Sequence, residues 1–122
     1  MATKSERMSE VLRGLRHGTP EVIGAAVVTS EGFIVTSVLP NEVDEDLIGG
    51  MAAALLGVGE RIGHDLMRSE MEQVYVRSPK GYVIVNAITP ESALVLLVTR
   101  EAKLGLIFLE LKRAIAELAR VI

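Results

Sequence analysis

The sequence predicts an α/β (α+β) fold: a five-stranded, mainly antiparallel sheet with helices on both faces, in the order α-β-β-α-β-β-β-α. Three observations predict it. Apolar residues recur at helical spacing in three stretches, five runs rich in β-branched residues fill the intervals, and two of those runs are apolar at successive positions. A strand apolar on both alternating faces needs cover on both sides of its sheet, which places the helices.

Met8, Val11, Leu12 and Leu15 lie at i, i+3, i+4 and i+7, with Ser5 as cap and Glu6 early, so a short amphipathic helix is expected to end between Gly14 and Gly18. Val22 to Thr29 and Phe33 to Val38 follow as strands, split by Ser30-Glu31-Gly32, a break suited to a hairpin. Pro40-Asn41 stops the second strand. Asn41 or Asp44 then caps a long helix to about Met67, with Glu42, Glu45 and Asp46 at its positive end. Leu47, Ile48, Met51, Leu55, Val58, Ile62 and Leu66 share a sector about 100° wide, the width of a helix resting on a core. Ala52, Leu56, Gly59 and Gly63 flank that sector. A glycine inside a helix costs about 1 kcal/mol against alanine, and this helix contains Gly49, Gly50, Gly57, Gly59 and Gly63. Close approach of another backbone is the expected compensation.

Met71 to Ser78, Gly81 to Ile88 and Ala93 to Thr99 are the remaining strands, joined by turns at Pro79-Lys80-Gly81 and Thr89-Pro90-Glu91-Ser92. The third strand interleaves Glu72, Gln73 and Arg77 with Val74, Tyr75 and Val76, which marks it as an edge, whereas the first and fifth are apolar throughout and belong in the centre. Ala102 to Ile122 closes the chain as an amphipathic helix, with Leu104, Ile107, Phe108, Leu111, Ile115 and Leu118 on one side and Lys112, Arg113 and Arg120 late.

Composition narrows the function. The 122 residues are 49% apolar and 24% charged, which suits one folded domain over residues 1–122 and excludes disorder away from the ends. Thirteen basic against 16 acidic residues, net −3, argue against nucleic acid as partner. The longest weakly polar stretch, Leu47 to Gly59, is too short to span a bilayer, which takes about 20 residues. The first residues carry no apolar signal core and the chain has no cysteine, so a cytoplasmic protein without disulfides is expected.

No catalytic motif stands out. Gly-Lys-Ser/Thr is absent, which removes a Walker loop. Gly57, Gly59 and Gly63 imitate a dinucleotide fingerprint with the last glycine one residue late, inside a helical pattern where that fingerprint needs a strand-to-helix turn. Asp44 and Asp46 start like a calcium loop, but its fifth and twelfth positions would be Ile48 and Leu55. His17 and His64 form no metal-binding pair, and Ser30, Ser37, Ser69, Ser78 and Ser92 have no neighbouring base. Arg61 and Arg68 read first as surface charges and second as arginine fingers for a partner's nucleotide. No enzyme activity, cofactor or metal is expected.

The ordered pattern as a whole resembles the Roadblock/dynein light chain family. The resemblance rests on Val22-Ile-Gly-Ala-Ala-Val-Val with Glu31-Gly32-Phe-Ile-Val, on Leu55-Leu-Gly-Val-Gly-Glu-Arg, on Val76-Arg-Ser-Pro-Lys-Gly-Tyr-Val, and on Ala102-Lys-Leu-Gly-Leu-Ile. It covers about residues 6 to 121, and Glu31 stands where the family often carries Asp. It implies a profilin-like sheet of order 2-1-5-4-3, the long helix on one face and the terminal helices on the other. It also implies a homodimer through the third strand and the long helix, to which Ala52, Leu56, Gly59, Gly63, Val74 and Val76 are assigned. Family members regulate small Ras-like GTPases without catalysis of their own, and Glu60, Arg61, His64 and Arg68 are the residues assigned to such a partner. The alternative is a profilin-like small-molecule sensor or scaffold domain.

Overall fold

The computed structural model describes residues Met1–Ile122. Helix α1 (Lys4–Gly18) is capped by Thr3 rather than Ser5: the Thr3 hydroxyl accepts from the Glu6 amide while the Glu6 carboxylate accepts from the Thr3 amide. Strands β1 (Val22–Thr29) and β2 (Ile34–Val38) form the first hairpin. Asp44 caps helix α2 (Glu45–Ile62), its carboxylate accepting from the amides of Asp46 and Leu47. A π-helical turn (Gly63–Met67) extends α2 and ends at Arg68 in the left-handed conformation. Strands β3 (Gln73–Ser78), β4 (Gly81–Thr89) and β5 (Ser92–Thr99) precede helix α3 (Leu104–Val121).

All four strand pairings are antiparallel, so the sheet is wholly rather than mainly antiparallel, and its order is β2-β1-β5-β4-β3. The apolar strands β1 and β5 lie inside, and the polar-interleaved β3 is an edge that pairs only with β4. Alternation along the strands divides the core. Ala25 and Val27 of β1 with Leu94, Leu96 and Val98 of β5 meet Leu12 of α1 and Ile107, Leu111 and Leu118 of α3. Ala26, Val28, Ala93 and Val95, on the opposite face, meet Ala52 and Leu56 of α2. The terminal helices therefore share one face and α2 covers the other.

The orientation of α2 corrects the sequence reading. Ala52 and Leu56 are buried against the chain's own sheet and Gly59 against Met71, with Ile48 and Leu55 of the expected sector partly buried beside them, while Leu47, Met51, Val58, Ile62 and Leu66 point outward. The buried side is turned from the expected one by roughly 110° at about 100° per residue. The glycines explain this. A side chain at Gly49 would collide with the backbone of Gly32 in the β1–β2 turn, one at Gly59 with the Met71 sulfur at 2.6 Å, and one at Gly63 with the Ser69 carbonyl at 3.0 Å. At Gly49 and Gly63 the backbone that approaches closely is thus this chain's own, whereas Gly50 and Gly57 face open space. Small residues let α2 descend onto a sheet face that itself carries Ala26 and Ala93, and bulky aliphatics are left facing outward.

Candidate functional site

Outward rotation of α2 leaves a continuous apolar face. Leu47, Met51, Ala54, Val58 and Ile62 fall within a sector about 80° wide at 100° per residue. Val58 is 59% exposed and Met51 60%. Leu66 and Met67 continue the apolar surface into the π-helical turn, each 74% exposed. Single exposed aliphatics are ordinary on a protein surface, but a row along a whole helix marks an interaction face. A π-turn inserted at a helix end is itself a feature that recurs at functional sites.

The β3 edge borders this face. Val74 packs against the α2-side cluster, and strand alternation puts Val76, 47% exposed, on the same face. Tyr75 points to the other side, its ring 6.4 Å from Tyr82 and 5.8 Å from Phe108 of α3, which anchors the edge from below. Tyr82 in turn receives Arg100, whose Nη1 donates to the phenol oxygen at 3.3 Å. With β4 on one side only, β3 presents backbone donors and acceptors to any strand brought alongside.

The residues assigned from sequence to a dimer contact therefore divide. Ala52, Leu56 and Gly59 are spent inside the subunit, and Ala52 is only 2% exposed. Gly63 is half-buried against the Ser69–Met71 segment. The side of α2 that carries these four is turned toward the rest of the subunit. Val74 and Val76 do border the open face. Leu47, Met51, Val58, Ile62 and Leu66 were missed as outer residues. The glycines that need close approach were the available signal, since tight packing by the chain itself would have turned the bulky sector outward.

Glu60, Arg61, His64 and Arg68 are all exposed. The fold brings Glu60 and His64 together, four residues apart on the flank of α2 away from the apolar row, while Arg61 projects about 100° from Glu60, toward that row. His64 lies 3.6 Å from the Asp65 carboxylate and is 86% exposed, so the pair is solvated. Arg68 stands apart beyond the π-turn at φ 53°, the one non-glycine residue with positive φ. No group of acidic, histidine or cysteine side chains converges in a metal-binding arrangement, and no helix is long and apolar enough to cross a membrane.

A five-stranded antiparallel sheet with one long helix on one face and two terminal helices on the other defines a profilin-like α+β fold. The chain belongs to the Roadblock/LC7 domain family, whose model matches residues 8–98. It is 35% identical over 96 residues to the uncharacterized protein MJ0714 of Methanocaldococcus jannaschii, covering 79% of this chain and 80% of that one. Its fold is similar to that of Myxococcus xanthus MglB, with a TM-score of 0.89 at 16% identity over 99% of this chain and 91% of MglB. Acanthamoeba castellanii profilin IA shares the fold more distantly, with a TM-score of 0.66 at 18% identity over 91% and 95% of the two chains.

Proposed function

We propose that this chain is a non-catalytic, cytoplasmic platform that dimerises through the outer face of α2 and the β3 edge and regulates a small Ras-like GTPase. The observation that carries the proposal is the row Leu47, Met51, Val58 and Ile62, left outward on a helix beside an edge strand open on one side. Two copies related by a two-fold axis pair β3 with β3 and lay their α2 helices across the joint, so one contact covers both the apolar row and the open edge. The dimer residues in this reading are Leu47, Met51, Val58 and Ile62 with Val74 and Val76, in place of the buried small-residue flank.

The GTPase part rests on family membership together with exposed polar side chains on the end of α2 and just beyond it. Glu60, Arg61, His64 and Arg68 are the proposed contacts, and ordering of the GTPase's switch segments is the means by which a protein without catalytic groups alters a nucleotide cycle. The test is direct. Purified chain is added to a Ras-like GTPase encoded beside it, and single-turnover GTP hydrolysis and nucleotide release are followed. A changed rate that is lost on charge reversal at Arg61 and Arg68 supports the proposal. Unchanged rates together with no complex on co-sedimentation refute it. The sensor alternative draws its support from a different region, the cleft beside α1.

A further inference from the structure

The face opposite α2 carries a cleft of about 480 Å³ between the end of α1 and the β1–β2 side of the sheet, lined by Arg13, Arg16, His17, Pro20, Ile23 and Val38 among others. Two arginines and a histidine line it and no acidic side chain does, in a chain whose net charge is −3. Arg13, Arg16 and His17 lie at i, i+3 and i+4, one face of α1's last turns. Arg16 and His17 enter no side-chain hydrogen bond or ion pair within the chain, and Arg13 donates only one Nη1 bond, to Ser9 Oγ at 2.9 Å. Arg16 is half-buried, so its stem is held against the wall instead of swinging freely.

Cations in the last turn of a helix complement its negative end, which accounts for Arg16 and His17. It does not account for Arg13 a turn earlier, nor for the floor. The register between β1 and β5 slips between Val22 and Gly24, leaving Ile23 outside the ladder. Ile23 is 42% exposed although β1 is an inner strand. Bulges of this kind re-aim one side chain, and here the aliphatic side chain lines a cation-rimmed hollow with Pro20 and Val38.

We propose that this cleft binds a small organic anion, a carboxylate or phosphate head carried on a short apolar body. The head takes charge-assisted hydrogen bonds from Arg13 and Arg16 and a further hydrogen bond from the His17 ring, and the body lies on Ile23, Pro20 and Val38. The cleft volume falls within the range of about 300–1,000 Å³ typical of small-molecule sites. A separate hollow nearer the start of α1, where Arg7 and Arg120 stand with Glu10 and Glu117, is of mixed sign. Unmixed basic lining in a hollow of this size, on a chain of net charge −3, favours a discrete ligand over an anionic membrane or nucleic acid. The site is independent of the α2 face, and its test does not depend on dimerisation or on any GTPase.

The test is titration of isotope-labelled full chain with octanoate and octyl phosphate, followed by amide chemical shifts. The expected result is saturable shifts confined to residues 13–24 and Val38, with dissociation constants of about 1 mM or below. Octanol and acetate, each lacking one half of the ligand, bind at least about tenfold more weakly. Arg13→Gln combined with Arg16→Gln lowers affinity at least about tenfold while shifts elsewhere and the melting temperature stay unchanged. No saturable shift by about 10 mM octanoate, shifts centred elsewhere, or undiminished binding by the double variant overturns the proposal. So does tight binding to phosphatidylglycerol vesicles without binding to the free anions, which makes the cleft a membrane contact instead.

Discussion

Val58→Glu separates the two orientations of α2. Val58 sits mid-helix in the outward row and is 59% exposed in the single subunit. Full burial of a valine side chain is worth about 1.5 kcal/mol, so the exposed remainder contributes about 1 kcal/mol when a partner covers it. In a two-fold dimer each substitution occurs twice, which makes the lost burial about 2 kcal/mol. Two carboxylates brought together and desolvated near the axis add at least about 2 kcal/mol more. A total of about 4 kcal/mol raises the dimer dissociation constant about a thousandfold. Sedimentation velocity from about 1 to 100 μM reads this as a shift from dimer to monomer. The subunit's own melting curve, once monomeric, changes little, because an exposed position stays within about 0.5 kcal/mol. Ala52→Leu is the contrasting change. At 2% exposure it overpacks the α2–sheet contact and destabilises the subunit itself by about 1–3 kcal/mol. If V58E sediments as the parent does, or V58E unfolds the subunit while A52L only dissociates it, the outward reading is wrong.

The glycines of α2 give a second check. Gly50→Ala and Gly57→Ala meet open space, so each is expected to gain about 1 kcal/mol, roughly 4 °C in Tm, whereas Gly49→Ala meets the Gly32 backbone and is expected to lose stability. Thermal melts that rank the three alike refute the packing described for α2. Arg68→Gly relieves a left-handed residue, worth about 1 kcal/mol, and removes a proposed partner contact. The variant is thus expected to melt higher and bind a GTPase more weakly, and tighter or unchanged binding removes Arg68 from that contact.

Much of the fold was legible because local chemistry and the global sheet agree. β1 was read with its observed ends, Val22 to Thr29, and Asp44 was among the caps foreseen for α2. The edge position of β3 followed from Glu72, Gln73 and Arg77 among its valines, and the inner place of β5 from its unbroken apolar run. The site was less legible. Periodicity shows that α2 has a bulky apolar sector and a small-residue flank side by side, but both satisfy a 3.6-residue repeat, and a single chain does not state which one its own sheet takes. Burial of large aliphatics, the usual source of stability, favours the bulky sector inward. Shape decided otherwise for most of it: Gly49 lies against the Gly32 backbone, where no side chain fits, and that holds the small-residue flank down.

The basic cleft shows the same division. Arg13, Arg16 and His17 on one helical face could be read from spacing alone, but their apolar floor depends on a one-residue slip between β1 and β5 that exposes Ile23. By itself, then, the sequence determined which segments become helix or strand, where they stop, and which strands are inner, because those depend on residues close along the chain. Only the tertiary structure decided which side of α2 faces the sheet and which residues of distant strands share a cleft. Those outcomes depend on the fit of surfaces brought together from far apart, which no local pattern records.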